Sequence, residues 1–314
     1  MKPLRIGTRA SALALWQANY VRDRLHELHG IEVELVRIRT SGDRFQSASF
    51  AQLVAQSGRK GLFIKEIEDA LLDGSIDLAV HSMKDVPTEI PDGLAIPAIP
   101  PRGESRDCLI SLNGQKLADM PRGARVGTSS LRRQAQIRHN RPDLQMIDLR
   151  GNVDTRIRKL ASGEFDAVVL AMAGLLRLGM EDKITEILAP EVMLPAVGQG
   201  ALAVETRSDD ARAMNLVAAL DDPNTRQAVL AERALLRELE GGCQVPLGAW
   251  ARHNGEKLYL DAGVFSPDGV QCVRREISGA PAESESLGKR LGKILKEAGA
   301  DQIMRQQGKT IVNG

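Results

Sequence analysis

A short pattern at the start of the chain comes back in its middle. Arg5-Ile6-Gly7-Thr8 returns as Arg125-Val126-Gly127-Thr128, and Gly74-Ser75-Ile76-Asp77-Leu78-Ala79-Val80 returns as Gly163-Glu164-Phe165-Asp166-Ala167-Val168-Val169. Each first copy is a short apolar strand running into a helix-like stretch. Between the copies lie 32–39 and 144–149, both strand-like and both followed by a polar turn containing glycine. Each half therefore reads as strand, helix, strand, helix, strand, which predicts two α/β domains of one plan with a cleft between them. Ligands of such sheets gather at strand carboxyl ends and helix amino ends, so those positions are where functional residues are expected.

The 314 residues suffice for two or three domains, and 43% hydrophobic with 26% charged residues is ordinary globular composition. A net charge of +1 gives no global field for nucleic acid or membrane, so any electropositive site must be local. Cys108, Cys243 and Cys272 are odd in number and widely spaced, which excludes a complete internal disulfide framework and argues against a cysteine-based zinc site. The first residues carry charges where a signal peptide needs an apolar core, and no apolar run approaches spanning length, so a cytoplasmic protein is expected. From about Asp221 the pattern changes. A helix from Pro223 leads to strand-like 245–252, 257–265 and 271–277, separated by Asn254-Gly255 and Asp268-Gly269 turn signals, and a helix over 282–298 closes the chain.

Several stretches can carry chemistry. Gly241-Gly242 stops the helix before it and leaves Cys243 on a turn with little side-chain bulk around the thiol, either a small buried hydrophobe or a functional group. Thr8-Arg9-Ala10-Ser11 ends the first strand and starts a helix with Trp16 and Gln17, which suits an anion site or an N-cap beside a solvated Arg. The loop 41–59, leading into Lys60-Gly61-Leu62-Phe63, reads as a lid or as a plain connection. His81-Ser82-Met83-Lys84-Asp85-Val86-Pro87 follows the apolar run 76–80. There Asp85 could hold a developing cation or move protons, or simply make a loop salt bridge, and His81 reads as structural. The segment 122–159 holds ten Lys and Arg against three Asp, and no Phe, Tyr or Trp. Within it Thr128, Ser129 and Ser130 precede Arg132 and Arg133 in the first turn of a helix, where positive charge opposes the dipole unless an anion binds. Arg150-Gly151-Asn152 closes the next strand with Arg156 a turn further on, and the planar fork of arginine suits carboxylates.

Gly241-Gly242-Cys243-Gln244-Val245-Pro246-Leu247-Gly248 resembles the cofactor-attachment loop of the porphobilinogen deaminase (hydroxymethylbilane synthase) family, in which the cysteine sulfur carries a covalent dipyrromethane. The resemblance spans nearly the whole chain. It implies a thioether at Cys243, a catalytic carboxylate at Asp85, and cofactor or substrate contacts from Arg9, Ser11, Gln17, Ser82, Lys84, Thr128, Ser129, Arg132, Arg133, Arg150, Arg156, Arg177 and Gln199. Lys60 and Phe63 match the family's lid, although Arg59 stands where a second glycine is usual. The implied fold is α/β, two similar doubly wound domains around a cleft in the manner of periplasmic binding proteins, plus a small α+β C-terminal domain with a three-stranded antiparallel sheet. The implied boundaries are 1–100 with 200–219, 101–199, and 220–314, the stretch 194–200 returning the chain to the first domain. The implied reaction is head-to-tail condensation of four porphobilinogen molecules, with loss of ammonia at each addition and hydrolytic release of the linear tetrapyrrole, in porphyrin and haem biosynthesis. The acetate and propionate of each pyrrole account for the arginines, and the electron-poor methylene left by the amine accounts for an anion at Asp85.

Two other classes remain as alternatives. A solute-binding module would bind a carboxylate reversibly, but has no use for a cysteine on a Gly-Gly turn. A nucleic-acid-binding regulator would use the basic segment, but that segment lacks aromatics for stacking. No metal, nucleic-acid or membrane partner is expected, and the absence of an apolar helix stripe or heptad run suggests a monomer.

Overall fold

In the computed structural model, which describes residues 3–40, 64–239 and 246–304, the two copies of the repeated pattern are closed by the same set of bonds. Arg5 donates from Nε and Nη2 to the Asp77 carboxylate at 3.1 and 2.8 Å, from its backbone N–H to the same carboxylate at 2.9 Å, and from Nη2 to the Gly74 carbonyl at 2.7 Å. Arg125 repeats this on Asp166 at 3.2, 3.0 and 2.7 Å and on the Gly163 carbonyl at 2.9 Å. Gly74 and Gly163 have φ of 76° and 78°, the left-handed region that glycine enters at least cost. The repeat is thus a forked Arg–Asp clamp joining the starts of two parallel strands.

The chain divides into two compact units, Met1–Arg102 with Ala201–Thr225, and Gly103–Gly200 with Arg226–Gly314. The first contains β1 (Leu4–Thr8), α1 (Ala12–His29), β2 (Val33–Arg37), α2 (Lys65–Leu72), β3 (Leu78–Ser82), β4 (Leu94–Ala98), β10 (Leu202–Arg207) and α6 (Ala211–Ala218). Its sheet has the order β2-β1-β3-β10-β4, with β1 parallel to β2 and β3, and β10 antiparallel to β3 and β4. Leu4, Ile6, Leu78, Val80, Leu202 and Val204 pack on one face with Ala18, Val21 and Leu25 of α1. Ala79 packs on the other face with Ile67 and Leu71 of α2.

The second unit holds β5 (Asp107–Ser111), β6 (Arg125–Gly127), α3 (Leu131–Asn140), β7 (Gln145–Ile147), α4 (Val153–Ala161), β8 (Ala167–Ala171), α5 (Met172–Arg177) and β9 (Glu186–Ile187). Their sheet, ordered β7-β6-β8-β5-β9, has the plan of the first: three parallel strands, then an antiparallel one. The strands expected over 32–39 and 144–149 are shorter, and the one expected over 76–80 begins at Leu78 and takes in His81 and Ser82. The Asp77 carboxylate belongs to the Arg5 clamp, and the ladder starts beyond it.

The same unit carries β11 (Leu247–Asn254), β12 (Lys257–Phe265) and β13 (Cys272–Gly279), an antiparallel sheet in the order β11-β12-β13. Its apolar face, Ala249, Ala251, Leu258, Leu260, Ala262 and Val264, packs on α7 (Pro223–Glu238) and α8 (Ser284–Glu297). The two helices approach closely at Gly288, where an added Cβ would stand 2.2 Å from the Ala231 carbonyl oxygen and 2.8 Å from the Ala234 Cβ. Backbone cannot step aside as a flexible side chain can. Gly288→Ala is therefore expected to lower stability by about 1–3 kcal/mol in urea unfolding, whereas Gly114→Ser, at an open turn, is limited to the cost of its positive φ.

Candidate functional site

In the first unit the notable residues collect around the carboxyl end of β3. Arg9, Ser11, Gln17, Val80, His81, Ser82 and Asp85 line one pocket, together with Leu13, Ala14, Ile64 and Ile67. Gln17 is buried on α1 and donates from Nε2 to Ser82 Oγ at 2.9 Å, which ties the helix to the strand end. The Met83 N–H donates to the Ala201 carbonyl at 3.0 Å, and the short 3₁₀ turn Met83–Asp85 then presents Lys84 and Asp85 outward, both exposed. Ser11 caps α1, its Oγ accepting from the Ala14 N–H at 3.4 Å, so the N-cap reading of this serine holds. Arg9 is half-buried at the pocket. The result is a carboxylate and a guanidinium on one concave surface, each on a turn that strand pairing holds in place.

In the second unit an internal carboxylate stands against the two arginines at the start of α3. Asp107, at the first position of β5, is wholly buried. Its Oδ1 accepts from Arg133 Nε and Nη2 at 3.1 and 2.7 Å and from Gln199 Nε2 at 3.0 Å, and its Oδ2 accepts from Arg132 Nη1 at 2.7 Å. Burial by itself would raise this carboxyl, but the guanidiniums of Arg132 and Arg133 override it and hold the group well below the usual carboxylate range. Arg132 Nη1 also donates to the Leu194 carbonyl at 2.6 Å, and Arg133 Nη1 to the Val169 carbonyl at 3.0 Å. Both side chains thus pair inward with Asp107, and one carboxylate against two guanidiniums leaves a net positive charge at the start of α3.

The neighbouring hydroxyls are also turned inward. Ser129 Oγ donates to the Leu149 carbonyl at 2.9 Å and accepts from the Leu149 N–H at 3.1 Å, and buried Thr128 Oγ1 accepts from the Ser130 N–H at 3.2 Å. Arg150 lies half-buried beyond β7. Next to it Gly151 has a φ of 116° and would place a Cβ 2.7 Å from Thr155, so only glycine fits. Arg156 Nε donates to the Gly151 carbonyl at 2.7 Å, Arg177 Nη2 to the Gly200 carbonyl at 2.7 Å, and Gln199 is buried with Nε2 also on the Ser105 carbonyl at 2.7 Å. Glu232, fully buried on α7, accepts from the N–H groups of Gly198 and Ala251 at 2.6 and 2.8 Å. Lys60, Phe63 and Cys243 lie outside the described residues. Of the other cysteines, burial pushes Cys108 up to about 12 and raises Cys272 as well, which keeps both as unreactive thiols.

The family model described as porphobilinogen deaminase, dipyromethane cofactor binding domain matches residues 4–215, and the model of the C-terminal domain of the same family matches residues 226–297. The chain is 53% identical over 306 residues to the porphobilinogen deaminase of Geobacter metallireducens, covering 97% of this chain and 95% of the relative. It is 51% identical over 302 residues to that of Syntrophotalea carbinolica, covering 96% and 95%. Among solved structures, the methionine binding protein MetQ aligns with a TM-score of 0.44 at 12% identity, over 72% of this chain and 90% of that one. The chain belongs to the porphobilinogen deaminase family.

The donor set suits the family's dipyrromethane. A dipyrromethane carries acetate and propionate groups and two ring N–H donors, and the pocket at β3 offers a guanidinium from Arg9, a hydroxyl from Ser82 and an acceptor carboxylate from Asp85. Asp107, Glu205 and Glu232 escape a reading by sequence because each is one acidic residue beside an apolar run. Only the pairing partners, far away along the chain, reveal them.

Removing the Asp107 charge strands two buried guanidiniums, so Asp107→Asn is expected to cost about 3–5 kcal/mol. A carboxyl held below its unfolded value stabilises fully above about pH 4 and loses that contribution as pH falls toward the folded value. Urea midpoints taken from neutral to acid pH are thus expected to fall more steeply for the wild type than for the variant.

Proposed function

We propose that the chain is a porphobilinogen deaminase (hydroxymethylbilane synthase), a transferase that joins four porphobilinogen units head to tail on a dipyrromethane held by Cys243 and then releases the linear tetrapyrrole by hydrolysis. The observation that carries this reading is the exposed carboxylate of Asp85 at the end of β3, in one pocket with Arg9. When bound, the dipyrromethane supplies the pyrrole terminus to which new units are added. Arg9 and Lys84, with Arg150, Arg156 and Arg177 of the second unit, are the groups we assign to substrate and cofactor carboxylates. Asp85 accepts from pyrrole N–H groups and faces the positive charge that develops on the porphobilinogen methylene as its C–N bond breaks.

Ser82 and Gln17 act on Asp85 through the backbone, fixing the strand end from which its turn departs. Arg132, Arg133, Thr128, Ser129 and Gln199 build the strand-end frame of the second unit, Arg132 bonding Asp107 and the Leu194 carbonyl through Nη1. Among the described residues no helix is long and apolar enough to cross a membrane. Attachment through a thiol suits a reducing compartment, and we take the enzyme to work in the cytoplasm as a monomer.

Two measurements test the reading. The intact mass of the purified protein, incubated with porphobilinogen where needed, is expected to exceed the sequence mass by two linked porphobilinogen-derived pyrroles and to match the bare sequence for Cys243→Ser. Asp85→Asn is expected to keep the fold and to lower kcat for porphobilinogen consumption by roughly 10²-fold or more. A chain that gains no adduct and consumes no porphobilinogen refutes the assignment.

A further inference from the structure

Glu205 lies in the middle of β10 with 1% of its surface exposed, paired in register with Ala79 of β3. Its Oε2 is 3.0 Å from His81 Nε2, and His81 is itself 6% exposed. Its other oxygen, Oε1, is buried and has no hydrogen-bond partner among the described residues. A carboxylate inside a sheet is costly to desolvate, and a half-satisfied one more so, so packing alone does not explain it. His81 shares with Ala79 the face of the sheet that α2 covers, and it is among the residues that line the Asp85 pocket. Among the described residues Glu68 of α2 interacts with the pair, its carboxyl raised by burial and by the charge of Glu205, and Asp85 and Arg9 line the same pocket as His81.

We propose that His81 is the base that receives the proton released in the Asp85 pocket at each condensation, and that Glu205 is the positioning residue that holds its ring. The inference rests on the function proposed above. Each addition breaks the C–N bond of an incoming protonated aminomethyl group, whose electron pair leaves with the nitrogen as ammonia, and forms a C–C bond to a pyrrole carbon of the acceptor. That carbon then loses its hydrogen as a proton. The carboxylate of Asp85 takes it first, but a protonated Asp85 is no use to the next cationic methylene. Transfer to His81 restores the Asp85 anion, and the proton passes on to water or to ammonia. In the Nε2–H tautomer, which we assign to the ring, Glu205 accepts and Nδ1 carries the lone pair of the neutral imidazole. A turn that must act four times in succession is thereby reset each time with no movement of the backbone.

The test uses the cofactor-loaded enzyme with porphobilinogen, alongside His81→Asn and Glu205→Gln with their loading checked by intact mass. The wild type is assayed first, and a wild type that consumes no porphobilinogen sinks the functional reading and this inference together. Given activity, His81→Asn is expected to lower kcat by about 10- to 100-fold with KM little changed. Glu205→Gln is expected to move the acidic limb of the kcat–pH profile down by about one pH unit, because the imidazolium loses its counter-charge. Retention of wild-type kcat and pH profile by both variants would sink the inference alone and leave the pair a structural one. Should either variant not fold, ¹⁵N spectra of the wild-type imidazole decide: the Nε2–H tautomer above the ring's titration supports the proposal, and the Nδ1–H tautomer overturns it.

Discussion

Much of the second unit hangs on one buried carboxylate. Asp107 gathers Arg132 and Arg133 from α3 and Gln199 from the 194–200 stretch, three segments far apart in the chain. That stretch is then fixed along its length. The Leu194 N–H and carbonyl are held by Gln136, its carbonyl also by Arg132, the Gly198 N–H by Glu232, and the Gly200 carbonyl by Arg177 and the Gly103 N–H. Leu194 meanwhile lies where a side chain at Gly248 would be, 2.4 Å from its Cβ position, so the three-stranded sheet closes over it. Loss of the Asp107 charge removes the counter-charge shared by two guanidiniums and the anchor of this stretch together, which is why its effect is expected to be large.

The duplicated Arg–Asp clamp explains why the two α/β sheets share one strand plan with little sequence in common. A forked ion pair that also captures a backbone N–H and a glycine carbonyl sets the register between two parallel strands, and the remainder of each sheet is free to vary. The variation shows at the strand ends. At the end of β3 the first unit leaves an exposed Asp85 in a pocket, whereas the corresponding β8 of the second unit runs into α5, which carries Arg177. One frame thus ends its third parallel strand on a turn carrying a carboxylate, and the other on a helix carrying a guanidinium.

The strand ends, the three-stranded sheet and the Asp85 turn were legible in the sequence because each rests on neighbours in the chain: alternating apolar residues, Asn-Gly and Asp-Gly turns, and a polar run after an apolar one. The inward direction of Arg132 and Arg133 was not legible. A helix start with two arginines reads the same whether the compensating anion is a ligand or a residue many positions upstream. The same holds for His81, which as sequence is an ordinary histidine at a strand end and in the structure faces Glu205 across the sheet.

By itself the sequence determined the two-fold α/β plan, the separate C-terminal sheet and the family, since these depend on local periodicity and on long uninterrupted motifs. Only the tertiary structure decided which charges pair inside and which face a pocket. Burial and pairing are set by residues brought together from distant parts of the chain, and the free energy of a charge depends on that surrounding far more than on its neighbours in sequence.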